Sequence, residues 1–227
     1  MTRTLVLLTL NEIDGVKALV PRLPLDLMDE VVAVDANSTD GTQEFLTSAG
    51  VRVLTQERQG RGEAFRVAVR NTTGEHLVFF SPDGNEDPTD IIRLFEALEA
   101  GADMAIASRF LPASKNEEDD AALPLRKWTN QAFTLMANAI WNRQRYVSDS
   151  INGYRAITRS AFGMLSPESM GYTVEYELTI RAMKKRLQIV EIPTIEGERI
   201  AGKTKGPSLQ VGVSFLRFFL GELVRGS

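Results

Sequence analysis

Cysteine is absent from this 227-residue chain, so neither a disulfide framework nor a thiolate metal site can be built. Histidine is nearly absent: His76 stands alone before the apolar run 77–80, which leaves no material for a histidine zinc site or a Ser-His-Asp triad. Any metal therefore has to be held by oxygen, the ligand set of Mg²⁺ and Mn²⁺. There is no basic excess. With 26 Lys+Arg against 30 Asp+Glu the formal charge is −4, which argues against a general nucleic-acid binder. Long apolar runs are missing too. The best candidate, 209–224, is broken by Gly212, Arg217, Gly221 and Glu222, short of the ~18 apolar residues of a spanning helix. Met1-Thr2-Arg3-Thr4 leads into about six apolar residues before Asn11-Glu12, too few for a signal-peptide core and better suited to a first strand. Two nucleotide motifs are also lacking. No G-x-G-x-x-G follows that strand, which disfavours a dinucleotide-binding domain, and Gln59-Gly60-Arg61-Gly62-Glu63-Ala64 lacks the spacing of a P-loop.

What is present is ordinary globular composition, 43% hydrophobic and 25% charged, in a length suited to one α/β domain. Short apolar runs alternate with helical patterns, the signature of βαβ units and a mostly parallel sheet. Leu5–Thr9, Val31–Asp35, Val51–Thr55, Leu77–Ser81 and Met104–Ser108 are expected strands, and Asp40–Thr47, Gly62–Asn71 and Thr89–Ala100 expected helices, with Asp40 and Thr89 or Asp90 as caps. The proline-bounded charged segment 112–124 is expected to be a solvated connection or a lid. Beyond it Trp128, Ala132, Leu135, Met136, Ala139 and Ile140 recur at helical spacing and are expected to form a core face. Gly153–Ile157 and Leu187–Ile192 suggest two more extended pieces, Val174–Lys185 a helix, and 208–225 a final amphipathic helix.

Polar and charged residues collect just after the strands: Asn11-Glu12, Asp35-Ala36-Asn37-Ser38, Asp83-Gly84-Asn85 and Ser108-Arg109. In open α/β sheets the ligand crevice lies outside the strand carboxyl ends, so these segments are expected to converge on one edge. Asp35, closing an apolar run there, is placed to accept hydrogen bonds from a ribose or a base. Asp83 offers a hard oxygen, with Asn85 two residues on as a second; the same segment also suits a plain turn with helix caps. Arg109 directly after a strand, and Arg199 in the loop Glu198-Arg199-Ile200-Ala201-Gly202-Lys203-Thr204-Lys205, are placed to meet a phosphate.

The ordered set Thr9-Leu10-Asn11-Glu12, Val34-Asp35-Ala36-Asn37-Ser38-Thr39-Asp40-Gly41-Thr42, Gly60-Arg61-Gly62, Asp83-Gly84-Asn85, Ser108-Arg109-Phe110, Asp149-Ser150-Ile151-Asn152-Gly153-Tyr154-Arg155-Ala156 and Arg199–Lys205 resembles family 2 glycosyltransferases, most of all their polyprenyl-phosphate (dolichol-phosphate) mannosyltransferase branch. The resemblance runs over nearly the whole chain. It implies a GT-A fold in one domain, 1–227, with a nucleotide-binding half at about 1–110, an acceptor half at about 124–207 and the final helix. It implies metal-dependent, inverting transfer of a hexose from a nucleotide-diphospho-sugar, with Mg²⁺ or Mn²⁺. Position by position, Thr9, Asn11, Glu12, Asp35 and Arg61 would line the nucleotide pocket. Asp83 matches the metal-binding second aspartate of a D-x-D motif and Asn85 a glutamine that assists it. Arg109, Arg126, Arg199, Lys203 and Lys205 match basic positions meeting donor diphosphate or acceptor phosphate, and Asp149 an acceptor-side aspartate. Three positions depart from the pattern: Ser81 replaces the first aspartate of D-x-D, Ala36 an acidic residue and Asn85 the glutamine.

A polyprenyl phosphate acceptor is already an anion and needs no base; a soluble hydroxyl acceptor needs one, and Asp149 is the first candidate. A catalytically weak nucleotide-sugar-binding protein and a nucleotidyltransferase are the rival readings. The expected location is cytoplasmic, peripheral at the inner face of the membrane. In the final helix Leu209, Val213, Leu216, Leu220 and Leu223 form one stripe, widened by Val211, Phe215, Phe218, Phe219 and Val224. It suits packing on the domain or a second subunit, or an interfacial helix with Lys203, Lys205, Arg217 and Arg225 toward anionic headgroups.

Overall fold

Strand-forming runs with β-branched and aromatic residues build a seven-stranded sheet in a computed structural model that describes residues 1–119, 124–200 and 208–225, with the backbone alone for 208–211. The strands are β1 (Arg3–Thr9), β2 (Glu30–Asp35), β3 (Arg52–Thr55), β4 (His76–Phe80), β5 (Met104–Ser108), β6 (Arg155–Thr158) and β7 (Ile189–Pro193). Their spatial order is β3-β2-β1-β4-β6-β5-β7. The β1–β2, β1–β4, β2–β3 and β5–β7 pairs are parallel; β6 alone runs antiparallel, to β4 on one side and β5 on the other. The sheet is thus mostly parallel, as the alternating pattern implied.

Both faces of the sheet are covered, which is why its strands are near-continuous apolar runs. Val6, Leu8, Val32, Leu77, Phe79 and Met104 point to one core, and their alternates Leu5, Leu7, Ala33, Val78, Phe80 and Ala105 to the other. The first is covered by α3 (Arg61–Asn71), α5 (Leu125–Trp141), α6 (Arg159–Leu165), α7 (Val174–Lys185) and α8 (Ser208–Val224); the second by α1 (Ile13–Leu19), α2 (Thr42–Ser48) and α4 (Asp90–Glu99).

Several expectations need correction. Helices α1 and α6 were not foreseen. In α1, Gly15 looks like a turn residue, yet it is there because a Cβ would lie 1.9 Å from the Pro82 carbonyl oxygen. Thr89 makes no side-chain cap on α4, and Gly41 rather than Asp40 is the N-cap residue of α2. Asp40 instead accepts from Thr42 N and from Ile13 N, tying α2 to α1. The expected apolar stripe of α5 is a core face only in part: Met136 and Ile140 pack partly buried against the core. Trp128 (52% exposed), Ala132, Leu135 (58%) and Ala139 point outward, while Phe133, Thr134, Ala137 and Asn138 are buried. The α8 helix packs on the domain: Phe215 lies against Phe133 and Tyr176, and Phe219 against Trp141. No described helix is long and apolar enough to cross a membrane. Residues 111–119 are fastened to the segment after β7, with Lys115 N donating to Thr194 O and Glu196 N to Lys115 O.

Candidate functional site

The carboxyl ends of β1, β2, β4 and β5 open into one cleft of about 1270 Å³, as the strand-end residues implied. Asp35, fully buried at the end of β2, organises its first wall. Its Oδ1 accepts from Ser38 N (2.7 Å) and Gln43 Nε2 (2.6 Å), and its Oδ2 from Thr9 Oγ1 (2.8 Å) and Ser38 Oγ (2.6 Å). Four donors fill the acceptor capacity of a carboxylate. Asn11, in a left-handed conformation at φ 50°, accepts from Thr39 N and donates its own N–H to Ser38 Oγ. Thr9, Glu12 and Arg61 line the cleft; Asp35 and Asn11 stand behind it and hold the loop 36–40 against β1. The acceptor sites of Asp35 are met by the chain's own donors, while Asn11 is exposed beside the cleft.

Arg61 opens α3 and reaches across the floor. Its guanidinium pairs with Glu175 at the start of α7, and Nη1 donates to Ser81 Oγ at 3.3 Å. Burial works against its charge, but Glu175, helped by Glu86, outweighs that and raises its pKa above the ordinary value. Gly153 makes the room: a Cβ there would lie 1.9 Å from Arg61 Nη2.

After β4 the chain turns through 81–86. Asp83 Oδ1 accepts from Asn85 N (3.1 Å), and Oδ2 faces Arg199 Nη1 at 3.0 Å. Asn85 is 7% exposed; its Nδ2 donates to Gly197 O (2.9 Å) and Glu117 Oε2 (3.2 Å), while its Oδ1 is buried without a partner. A buried, unmatched amide oxygen beside a carboxylate suits a hard cation. Among the described residues no three His, Cys, Asp or Glu side chains cluster as a metal cage, so a cation here would draw its remaining ligands from a bound diphosphate and water. Mg²⁺ or Mn²⁺ fits such a donor set, with Asp83 and Asn85 as the protein ligands.

Arg109 and Arg126 line the same cleft near Glu196. Arg109 is clamped by Asp149, Nε to Oδ2 at 2.7 Å and Nη2 to Oδ1 at 2.9 Å, and its Nη1 lies 3.5 Å from Glu196 Oε1. Arg126 pairs with Glu117 and Glu118; burial, together with Arg109 and Arg199, lowers its pKa. Asp149 is fully buried and also accepts from Asn152 N. Burial alone would raise its pKa; the Arg109 guanidinium more than offsets this and holds it below the carboxylate range. In this arrangement Asp149 holds Arg109 in place, and it is not among the residues that line the cleft. Lys203 and Lys205 lie outside the described residues.

Several acidic residues of the cleft were not foreseen as site residues. Glu175 and Glu196 hold Arg61 and Arg109; Glu86 accepts from Ser81 N (2.6 Å), and burial together with nearby Asp83 pushes it up to about 8. Arg155 was quoted without a role. Fully buried, it donates to Asn152 O and Glu175 O, caging the 149–154 loop, and burial lowers it to about 10. Their partners lie up to 114 residues away, so local pattern carries no signal for them.

Residues 5–162 match the family described as Glycosyl transferase family 2. The chain is 26% identical over 214 residues to glycosyltransferase AglJ of Haloferax volcanii, covering 93% of this chain and 69% of that protein. It is 25% identical over 214 residues to dolichol-phosphate mannosyltransferase of Pyrococcus furiosus, covering 90% of this chain and 59% of that one. It is 29% identical over 222 residues to polyprenol monophosphomannose synthase of Mycolicibacterium smegmatis, covering 89% and 80%. Among solved structures, glucosyl-3-phosphoglycerate synthase from Mycobacterium tuberculosis, in complex with Mn²⁺, UDP and glucosyl-3-phosphoglycerate, superposes with a TM-score of 0.72 at 22% identity, over 99% of this chain and 79% of that one. At that identity the likeness establishes the GT-A fold.

Proposed function

The chain belongs to glycosyl transferase family 2, and from that premise we propose that it moves a sugar, with inversion, from a nucleotide-diphospho-sugar to a polyprenyl phosphate. The observation that carries this is the Asp83–Asn85 turn, with its unmatched Oδ1, facing Arg61 and Arg199 in one cleft. Each arginine now rests on a carboxylate, Arg61 on Glu175 and Arg199 on Asp83. A diphosphate entering the cleft offers both the same bidentate geometry with more charge. A divalent cation held by Asp83 and Asn85 would stabilise the charge that builds on the leaving diphosphate. Arg61 and Arg199, once turned from their carboxylates to the diphosphate, contribute to the same end.

The acceptor side supports an anion. Arg109 and Arg126 flank Glu196, and the Asp149 clamp keeps Arg109 charged and aimed. A phosphate oxygen is nucleophilic without losing a proton, which agrees with Asp149 being spent on Arg109. Relatives named for dolichol phosphate and polyprenol support the lipid form of that anion. The test is a thermal-shift panel of UDP-, GDP-, CMP- and TDP-sugars with and without Mn²⁺, followed by transfer to a short polyprenyl phosphate. A metal-dependent shift with one donor and a glycosyl-phosphate product are expected; release of pyrophosphate would mark a nucleotidyltransferase, and no transfer at all a binding protein.

A further inference from the structure

Glu117, Glu118 and Asp119 open an acidic run between β5 and α5, where a solvated connection would point its charges outward. Here they turn inward. Glu117 and Glu118 line the cleft, and both pair with Arg126 in the first turn of α5, Glu118 through Oε1 to Nε at 3.2 Å. The other oxygen of Glu117 accepts from Asn85 Nδ2 at 3.2 Å, and that of Glu118 from Lys127 N at 2.8 Å. Asp119 takes the Lys127 ammonium. The backbone that carries these carboxylates is fastened. Glu117 N donates to Glu196 Oε2 at 3.0 Å, Glu118 N to Asn116 Oδ1 at 3.0 Å, and Asn116 Nδ2 to Glu196 Oε2 at 2.9 Å. The two glutamate side chains keep 28% and 22% exposure, so they can turn aside while that backbone stays in place.

The Lys127 N–H belongs to the first turn of α5 and has no partner within the helix. A carboxylate that accepts at once from such an N–H and from a guanidinium makes the contacts a phosphate would make there. Glu118, with Glu117 beside it, is thus an internal anion seated on an acceptor-side arginine. Any anion that takes Arg126 has to displace both, and loses the same free energy in doing so. A phosphate monoester brings about two negative charges and three acceptor oxygens, enough to leave a surplus. A phosphodiester brings a single charge and leaves little. Sugar transfer to a phosphate monoester converts the first into the second: the anomeric carbon leaves the nucleoside diphosphate and bonds to a phosphate oxygen, whose charge is lost.

We propose that Glu117 and Glu118 guard Arg126 as an internal counter-anion, so that a phosphate monoester displaces them and holds, whereas the phosphodiester product is let go as they close on the arginine again. The guard rests on the phosphate-acceptor reading for its substrate, but inorganic phosphate tests it separately. The measurement is titration calorimetry on the full chain with inorganic phosphate, geranyl phosphate and the methyl ester of geranyl phosphate. Glu117→Gln with Glu118→Gln keeps the hydrogen-bond acceptors and removes both charges. Every probe should then bind about threefold or more tighter, the scale of the part-exposed ion pairs given up, with the melting temperature close to that of the unaltered chain. Adding Arg126→Ala should abolish the gain. If the double variant melts early, Glu117→Gln alone, which leaves the contact of Glu118 with α5 in place, should show part of the same gain. Inorganic phosphate bound no tighter by either glutamine variant would overturn the guard. So would a gain that survives Arg126→Ala, because it would then reflect net charge and not this arginine. A gain for inorganic phosphate, with geranyl phosphate bound no better than inorganic phosphate by any variant, would uphold the guard and count against the lipid-phosphate acceptor alone.

Discussion

Arg109 and Asp149 illustrate how a charge in this cleft is kept in place. Two parallel hydrogen bonds fix the guanidinium plane, and Glu191 of β7 fixes the loop beneath by accepting from Ser148 N and Asp149 N at 2.8 Å each. Asp149→Asn keeps the shape but loses one bond and the charge. Turnover is expected to fall by about tenfold or more, the cost of weakening a charge-assisted bond, while the pH–rate profile keeps its shape. Loss of the acidic limb in that variant would restore Asp149 as a base. Glu86 gives a second pH-dependent outcome. Its folded value of about 8 lies above the ordinary 4.5, so the native state binds this proton more tightly than the unfolded chain. The stability it contributes is complete below about 4.5 and is lost as pH rises toward about 8. In metal-free buffer the melting temperature of Glu86→Gln should therefore decline less across that window than that of the unaltered chain; parallel curves would contradict the assignment.

At the scale of elements, the strands were legible because burial on both sheet faces forces continuous apolar runs, and Met104–Ser108 and Val174–Lys185 stand where the sequence placed them. The antiparallel insertion of β6 was not, since pairing direction depends on which strands flank it. The stripe of α5 was only partly legible for a related reason: a helix apolar on two sides shows one periodicity, and only the fold says that Met136 and Ile140 are covered while Trp128 and Leu135 are not. Close backbone approaches are likewise invisible in sequence. Gly153 is the case that matters for the site, and Gly153→Ala tests it. The added Cβ meets the tip of Arg61, a flexible side chain, so the fold should persist with little change in melting temperature. Donor binding should weaken by about 1.5–3 kcal/mol, the range for a displaced charged hydrogen bond. Unchanged donor affinity would remove Arg61 from the donor site.

Across the whole molecule, the sheet gathers residues from positions 9 to 199 at one edge, and the site follows from that geometry. Sequence order revealed which residues follow strands. It did not reveal which of them face the cleft, because Asp35 and Asp149 are satisfied by donors from other elements. The departures at Ser81 and Ala36 are absorbed without a gap: Ser81 Oγ accepts from Arg61, and Ala36 O accepts from Gln59 Nε2 at 3.2 Å. What remains decisive is whether Asp83 works through a metal on a donor diphosphate. The most direct measurement is nucleoside-diphosphate release from the responding donor, with phosphate acceptor and Mn²⁺, in the unaltered chain and in Asp83→Ala. The account predicts that the variant melts normally and loses about 10²–10³-fold in turnover, the scale of removing one electrostatic stabiliser, and that EDTA stops the unaltered chain. Turnover in Asp83→Ala equal to that of the unaltered chain, or turnover indifferent to EDTA, would contradict it.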